Sequence, residues 1–199
     1  MDIEIIEYPL RYLDIIFMAG RSCYGIEDFN HDISYLEESK FAKMLIQKYH
    51  ESVIEHISIT AYCKNMSRSF MSQITRHRLA SFSIKSQHFC DHSNFKYKLL
   101  ESDVMCTEYI RLMAAINDFY VKAVTNGMPK YIAREVLPNS ALTNIFMTAN
   151  AREWRHIIAQ RITSDNTPEI KEWAEKILLI LASYMPELFS DLVEKYVRF

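Results

Sequence analysis

The stretch Gln73-Ile74-Thr75-Arg76-His77-Arg78-Leu79-Ala80-Ser81-Phe82-Ser83-Ile84-Lys85-Ser86-Gln87-His88-Phe89 decides how the rest of the chain is read. Its opening residues end a segment in which Phe70 and Ile74 fall on one helical face, so a helix is expected over 66–78 with Ser67 as its cap. In that frame Gln73 and Arg76, three apart, are neighbours. Arg76, His77 and Arg78 then set three cationic or potentially cationic side chains in a row, which repel one another unless water or an anion faces them. Hydroxyls and amides follow at once. Arginine binds phosphate through a planar fork of donors, histidine adds another, and serine hydroxyls or turn amides fill the remaining acceptor sites. A solvated basic face is the competing reading of such a charge run.

Upstream, apolar residues alternate with more polar ones from Ile57 to Lys64, which predicts a strand. It follows His50-Glu51-Ser52-Val53-Ile54-Glu55-His56, whose histidines are six apart and share no helical face, so no metal site is expected. A helix is expected over 34–50, where acids come early and bases late, and a first strand over 3–8. Residues 10–18 read as an apolar helix or turn.

Downstream, the polar run to about Tyr97 reads as an irregular binding loop. A long helix is expected over 102–126, closed by Gly127, with Tyr109, Met113, Ile116, Phe119, Tyr120 and Ala123 forming a core or subunit-facing stripe. A short helix from Pro129 ends before Pro138 and carries Arg134, and 140–148 reads as a strand. Asn150 is placed to cap a helix over 151–161, on which Arg152 and His156 share a face and Arg161 is rotated moderately from it. Thr167-Pro168-Glu169 starts the next helix, to Tyr184, and Pro186 opens the last.

At 199 residues, with 49% hydrophobic residues and only three glycines, the chain reads as one domain, 1–199, with several long helices. A formal net charge of −2 supplies no global basic field, which argues against a nucleic-acid partner and makes any anion site local. Cys23, Cys63, Cys90 and Cys106 lack metal-type spacing and read as reduced thiols. Acids in Met1-Asp2-Ile3-Glu4 and short apolar runs suit neither a signal peptide nor a membrane span, so a cytoplasmic protein with no membrane partner is expected.

The central stretch resembles the signature of the flavin-dependent thymidylate synthases, which runs Arg-His-Arg, two residues, Ser, one, Asn, two, Ser, one, Arg-Tyr. Arg76, His77, Arg78, Ser81 and Ser86 fall on it, and Gln73 matches upstream. A segment similar to His50-Glu51-Ser52 precedes the same strand in that family, and Arg134 in its Ala-Arg-x-Val-Leu-Pro setting, Asn150-Ala151-Arg152 and Arg161 recur there at the same mutual spacings. The likeness runs from about His50 to Leu188. It implies an α+β fold, a mixed helix and sheet core assembled as a homotetramer with shared active sites. It implies methylation of dUMP at C5 to dTMP, with methylenetetrahydrofolate as carbon donor and reduced FAD, recharged by NADPH, as hydride donor. On that resemblance His50, Ser52, Arg76, His77, Arg78, Ile84, Asn150, Ala151, Arg152 and His156 lie at FAD. Gln73, Arg76, Lys85, Ser86, Gln87, His88, Arg134 and Arg161 hold the nucleotide, and Arg161 and Ser86 stand nearest the chemistry. Arg161 is the group that favours negative charge on the uracil edge, and Ser86, which has no general base, is a hydrogen-bonding residue.

The second half of the signature departs: Ser83 stands for Asn, Ile84 for a common Glu, His88 for Arg and Phe89 for Tyr, while Asp165 and Thr167 stand where many members have His and Gln. Losing the arginine fork at 88 removes a charge-assisted bond of roughly 1.5–3 kcal/mol, unless Lys85 restores the charge. The changed loop therefore leaves open a flavin-dependent methylase or hydroxymethylase of UMP or dCMP, and a flavin- or nucleotide-binding paralogue without turnover.

Overall fold

The computed structural model describes residues 1–26, 33–100 and 104–197. The strands are Asp2–Glu7 (β1), Ser58–Ser67 (β2), Ser81–Ile84 (β3) and Leu142–Asn150 (β4), paired as an antiparallel sheet in the order β1-β2-β4-β3. The helices are Tyr12–Ser22 (α1), Tyr35–Gln47 (α2), Arg68–Ile74 (α3), Cys106–Thr125 (α4), Lys130–Ala133 (α5), Ala151–Arg161 (α6), Pro168–Tyr184 (α7) and Pro186–Tyr196 (α8). Short 3-10 turns cover Glu51–His56 and Arg134–Val136. The fold class is α+β, as the resemblance implies.

Alternation along β2 and β4 follows from the pleat. Ile59, Ala61 and Cys63 are buried on β2, and Thr143, Ile145, Met147 and Ala149 on β4. Register is pinned by the 2.9 Å hydrogen bond between the Thr60 and Thr148 hydroxyls. Asn65 adopts a left-handed φ of 60° inside β2, a conformation asparagine tolerates, and its N–H donates to Asn144 Oδ1 at 3.1 Å.

By its contacts the chain forms two compact units, interleaved in sequence: Met1–Asp2, Cys63–Arg76 and Phe82–Phe146 make one, and Ile3–Tyr62, His77–Ser81 and Met147 onward make the other. In the second unit α7 buries Ile170, Trp173, Ala174, Ile177, Leu178 and Leu181, a stripe at helical spacing. Trp173 lies 6.2 Å from Trp154 of α6, whose indole N–H donates to the Ile59 carbonyl at 3.1 Å. Glu187 of α8 ties α1 and α2 together, accepting from Tyr12 at 2.5 Å and from Ser39 at 2.8 Å. In the first unit Tyr120 and Ala123 of α4 pack with Ala133 of α5, and Gly127 ends α4 with φ 87°.

Two expectations are corrected. The helix predicted over 66–78 covers only α3: β2 runs on through Ser67, whose hydroxyl caps α3 by accepting from the Phe70 N–H at 2.9 Å. At the other end Thr75 Oγ1 bonds back to the Met71 carbonyl at 2.9 Å, as β-branched hydroxyl residues do where a helix stops. Arg76, His77 and Arg78 therefore lie beyond the helix, and Gln73 and Arg76 do not share its face. The run expected to be irregular contains β3, an edge strand whose Ser-Phe-Ser-Ile alternation is the signal for it. The predicted start of the long helix at Ser102 lies outside the described residues; α4 is seen from Cys106.

Candidate functional site

In the second unit the site is built around His77, which is only 6% exposed. Arg161, the last residue of α6, donates from Nε to His77 Nε2 at 3.0 Å. Arginine has donors and no acceptor, so Nε2 carries a lone pair and the neutral ring keeps its proton on Nδ1. Nδ1 stands 3.7 Å from a buried Glu153 carboxylate oxygen, and the His156 ring stands edge-on to His77 at 6.0 Å. Burial first, then Arg161 and His156, hold the His77 pKa down to about 4. Burial also pushes the Glu153 carboxyl up, with His156 opposing. His77, Glu153 and His156 bring potential metal-ligand atoms within 4.8 Å of one another. Arg161 occupies Nε2 and its positive charge opposes a cation there, so the trio is better matched to holding the guanidinium.

Helix α6 positions these groups because Asn150 caps it as the sequence predicts: Asn150 Oδ1 accepts from the Glu153 N–H at 2.8 Å. Its first turn is also pinned by the Ala151 N–H, which donates to the Ile57 carbonyl at 2.8 Å. Asn150, Arg152, His156 and Leu79 line a cleft of about 650 Å³ with Glu51 and Glu55. His50 and Ser52 line a second cleft of about 500 Å³, which shares Glu51 and Arg152 with the first. Tyr49, at its lip, holds a left-handed φ of 58° and is 87% exposed.

The two glutamates anchor α6 to the 3-10 turn. Arg152 Nη1 donates to Glu55 at 2.5 Å, and Arg155 Nε donates to Glu51 at 3.0 Å. Arg155 is buried and forks onto both Asp191 oxygens at 2.7 Å while also reaching the Leu188 carbonyl. Arg152 differs in being 52% exposed, so an anion in the cleft can compete with Glu55 for it. Arg78 is exposed as well.

The first unit carries the residues assigned to the nucleotide other than Arg161. Ser86 Oγ accepts from the His88 and Phe89 N–H groups at 3.1 and 3.4 Å, which leaves its hydroxyl hydrogen to donate outward. The loop is held from below by buried His92, whose Nε2 lies 3.3 Å from the Ser86 carbonyl. The His88 ring lies 5.3 Å from that of Tyr131, three residues before Arg134. Lys130 adds a 3.4 Å bond to the Phe89 carbonyl. Gln73 Nε2 reaches its own helix at the Ser69 carbonyl, 3.5 Å away. Gln87 and Ile84 are half-buried, and Lys85 and Arg76 are exposed.

Within the second unit the structure thus brings His77, His156 and Arg161 together and sets Asn150, Arg152, His50 and Ser52 along its clefts. Within the first it gathers Ser86 and His88 near the segment that carries Arg134. Sequence reasoning missed Glu153, because an acid three residues after a capping Asn reads as helix-start chemistry. It also missed Arg68, whose pKa is lowered by burial and then by the charge of Arg134.

Comparison with known proteins points one way. The family described as thymidylate synthase complementing protein matches residues 4–187. A flavin-dependent thymidylate synthase of Geobacter sulfurreducens is 32% identical over 200 residues, spanning 96% of this chain and 86% of that protein. Its counterparts in Clostridium tetani and Corynebacterium diphtheriae are each 29% identical, over 94% and 89% of this chain and 85% and 77% of their own lengths.

Proposed function

The chain belongs to the thymidylate synthase complementing protein family, and on that premise we propose how its residues divide one reaction. The protein methylates deoxyuridine monophosphate at C5 to give thymidylate and uses a flavin to do so. The flavin is FAD. The clefts beside α6 suit it: they offer about 650 and 500 Å³, Arg152 in both for its phosphates, and one imidazole each, His156 in the first and His50 in the second. When bound there it supplies hydride chemistry, with NADPH as the reductant and methylenetetrahydrofolate as the carbon donor.

The chain's own work is binding, orientation and fixed charge. Arg152 and Arg78 hold diphosphate, Asn150 and Ser52 offer hydrogen bonds, and His156 and the uncharged ring of His77 supply surface. Arg134, Lys85 and Ser86 hold the nucleotide, with Gln73, Gln87 and His88 beside them. Arg161 favours the negative charge that develops on the uracil edge, the kind of electrostatic effect that usually dominates catalysis. Ser86 donates a hydrogen bond, since its oxygen already accepts from two backbone N–H groups.

The observation that carries this reading is the Arg161–His77 bond, which fixes a guanidinium by one nitrogen beside a neutral ring. We place the enzyme in the cytoplasm as one domain per chain, in a homotetramer with shared sites. Leu112 and Phe119 on α4, 55% and 51% exposed, support a subunit contact. No helix among the described residues is long and apolar enough to cross a membrane.

The test is a visible spectrum of the purified protein titrated with FAD, reduced anaerobically, and then mixed with dUMP. A flavin band whose reoxidation changes with dUMP, followed by folate-dependent thymidylate formation, is the expected result. Turnover of UMP or dCMP but not dUMP would shift the assignment to another pyrimidine nucleotide, a reading that rests on His88, whose ring lies tilted against Tyr131 where the signature has an arginine. Flavin binding without any response to nucleotide would leave a binding paralogue.

A further inference from the structure

Arg161 has to present its charge at a fixed place, yet it sits at the end of α6, where a long side chain has most freedom. Three features restrain it. Its Nε donates to His77 Nε2 at 3.0 Å, so the imidazole must keep that nitrogen unprotonated. The ring's other nitrogen points at Glu153 Oε1, 3.7 Å away, too far for a hydrogen bond but close enough for a carboxylate to favour the N–H dipole on that side. Both residues are buried, His77 at 6% and Glu153 at 7% exposure, so water does not level the choice between tautomers.

Glu153 is itself held in place. Its backbone N–H donates to the Asn150 cap at 2.8 Å, which ties the acid to the first turn of the helix whose last residue is Arg161. One helix therefore holds both ends of the chain Glu153, His77, Arg161, and the imidazole spans the gap between them.

We propose that Glu153 is a positioning residue: its carboxylate holds His77 as the Nδ1–H tautomer, so that Nε2 accepts from Arg161 and aims the guanidinium at the substrate. This inference rests on the reading of Arg161 as the residue that faces the uracil. An alternative use of the same atoms, as metal ligands, would require Nε2 or Nδ1 to be given up to a cation beside Arg161. The arginine bond and the Nδ1–H both argue against that.

The test begins with the protein as purified and needs no turnover. A 15N magnetic-resonance spectrum of histidine-labelled protein near pH 7.5, assigned to His77 by the signal lost in His77→Gln, reads the tautomer directly. A pyrrole-like Nδ1 and a pyridine-like Nε2 are expected, and the reverse pattern overturns the proposal whatever the enzyme's substrate is. Glu153→Gln and Glu153→Met then remove the charge at nearly constant volume. Either should mix the two tautomers and lower kcat for dUMP roughly tenfold, with KM for dUMP within about twofold, because a misaimed group costs rate more than binding. An unchanged tautomer in both variants, or a kcat within twofold of the parent protein's, overturns the role. If the parent protein shows no dUMP turnover, the functional reading fails while the tautomer measurement still decides the Glu153–His77 relation.

Discussion

Acid should destabilise this protein through one imidazole. His77 is buried, and burial together with the charges of Arg161 and His156 holds its pKa at about 4 against an ordinary 6.5. Between those two values the unfolded chain takes up a proton that the folded protein refuses, so stability is complete above pH 6.5 and falls as the pH drops toward 4. Each pH unit is worth about 1.4 kcal/mol, which sets a ceiling near 3.4 kcal/mol for the whole window. Screening and relaxation of the charged groups around the ring should bring the loss to about half that figure. The charged and titratable groups facing it are Arg161, His156 and Glu153, and Glu153 works in the opposite sense because its own pKa is raised.

The measurement is urea unfolding at several values between pH 7.5 and 4.5, on the parent protein and on His77→Gln, which keeps a polar side chain of similar size but does not titrate. All other groups contribute to both proteins and drop out of the difference. The stability advantage of the parent protein over the variant should shrink by about 1.3 kcal/mol across that range. If the two proteins lose stability in parallel, His77 titrates normally in the fold, and the argument that it is held neutral by burial and by Arg161 is wrong.

Three other consequences can be measured separately. Arg161→Ala should purify with flavin and melt normally but lose at least a hundredfold in kcat, as removal of a group that meets developing charge does; near-normal kcat would take Arg161 out of the chemistry. Asp191→Ala strips the bidentate partner from buried Arg155, and because Asp191 is itself 44% exposed the loss should be about 2 kcal/mol in urea unfolding, with less than 0.5 kcal/mol counting against the clamp. Ser86→Ala should raise KM for dUMP and lower kcat by about ten- to a hundredfold without abolishing turnover, the size of one lost hydrogen bond to a charged or strongly polar group; complete loss of turnover in a folded, flavin-loaded variant would reopen the nucleophilic role.

What the sequence disclosed was mostly local. Asn150 as a cap, Thr167-Pro168 as a helix start and Gly127 as a stop are each decided within a few residues by backbone groups that need a partner or by a φ that glycine accepts, and all three stand in the structure. Ser67 caps α3 as its sequence suggests, but the end of the helix was less legible, because the Thr75 hydroxyl turning back to the Met71 carbonyl stops it short of Arg76 where the residue pattern alone continues. Arg155 was hidden for another reason. In the segment Arg152-Glu153-Trp154-Arg155-His156 a charged residue reads as a solvated one, and only the arrival of Glu51 and Asp191 from distant parts of the chain makes its burial affordable.

The same limit explains what the Arg-His-Arg run did and did not say. Read from sequence, three adjacent positive groups ask for an anion. In the folded protein the middle one is buried and neutral, its proton on one nitrogen and its lone pair engaged by an arginine 84 positions away. The demand for counter-charge therefore falls on exposed Arg76 and Arg78, while His77 serves as an acceptor that a cation at that position could never be. Replacing His77 by arginine or lysine would preserve the apparent basic motif and destroy that function, because neither can accept from Arg161. His77→Lys should accordingly impair turnover at least as severely as His77→Gln, whose amide oxygen can still accept. The reverse order of kcat, with lysine the better substitute, would mean that charge and not acceptance is what this position supplies.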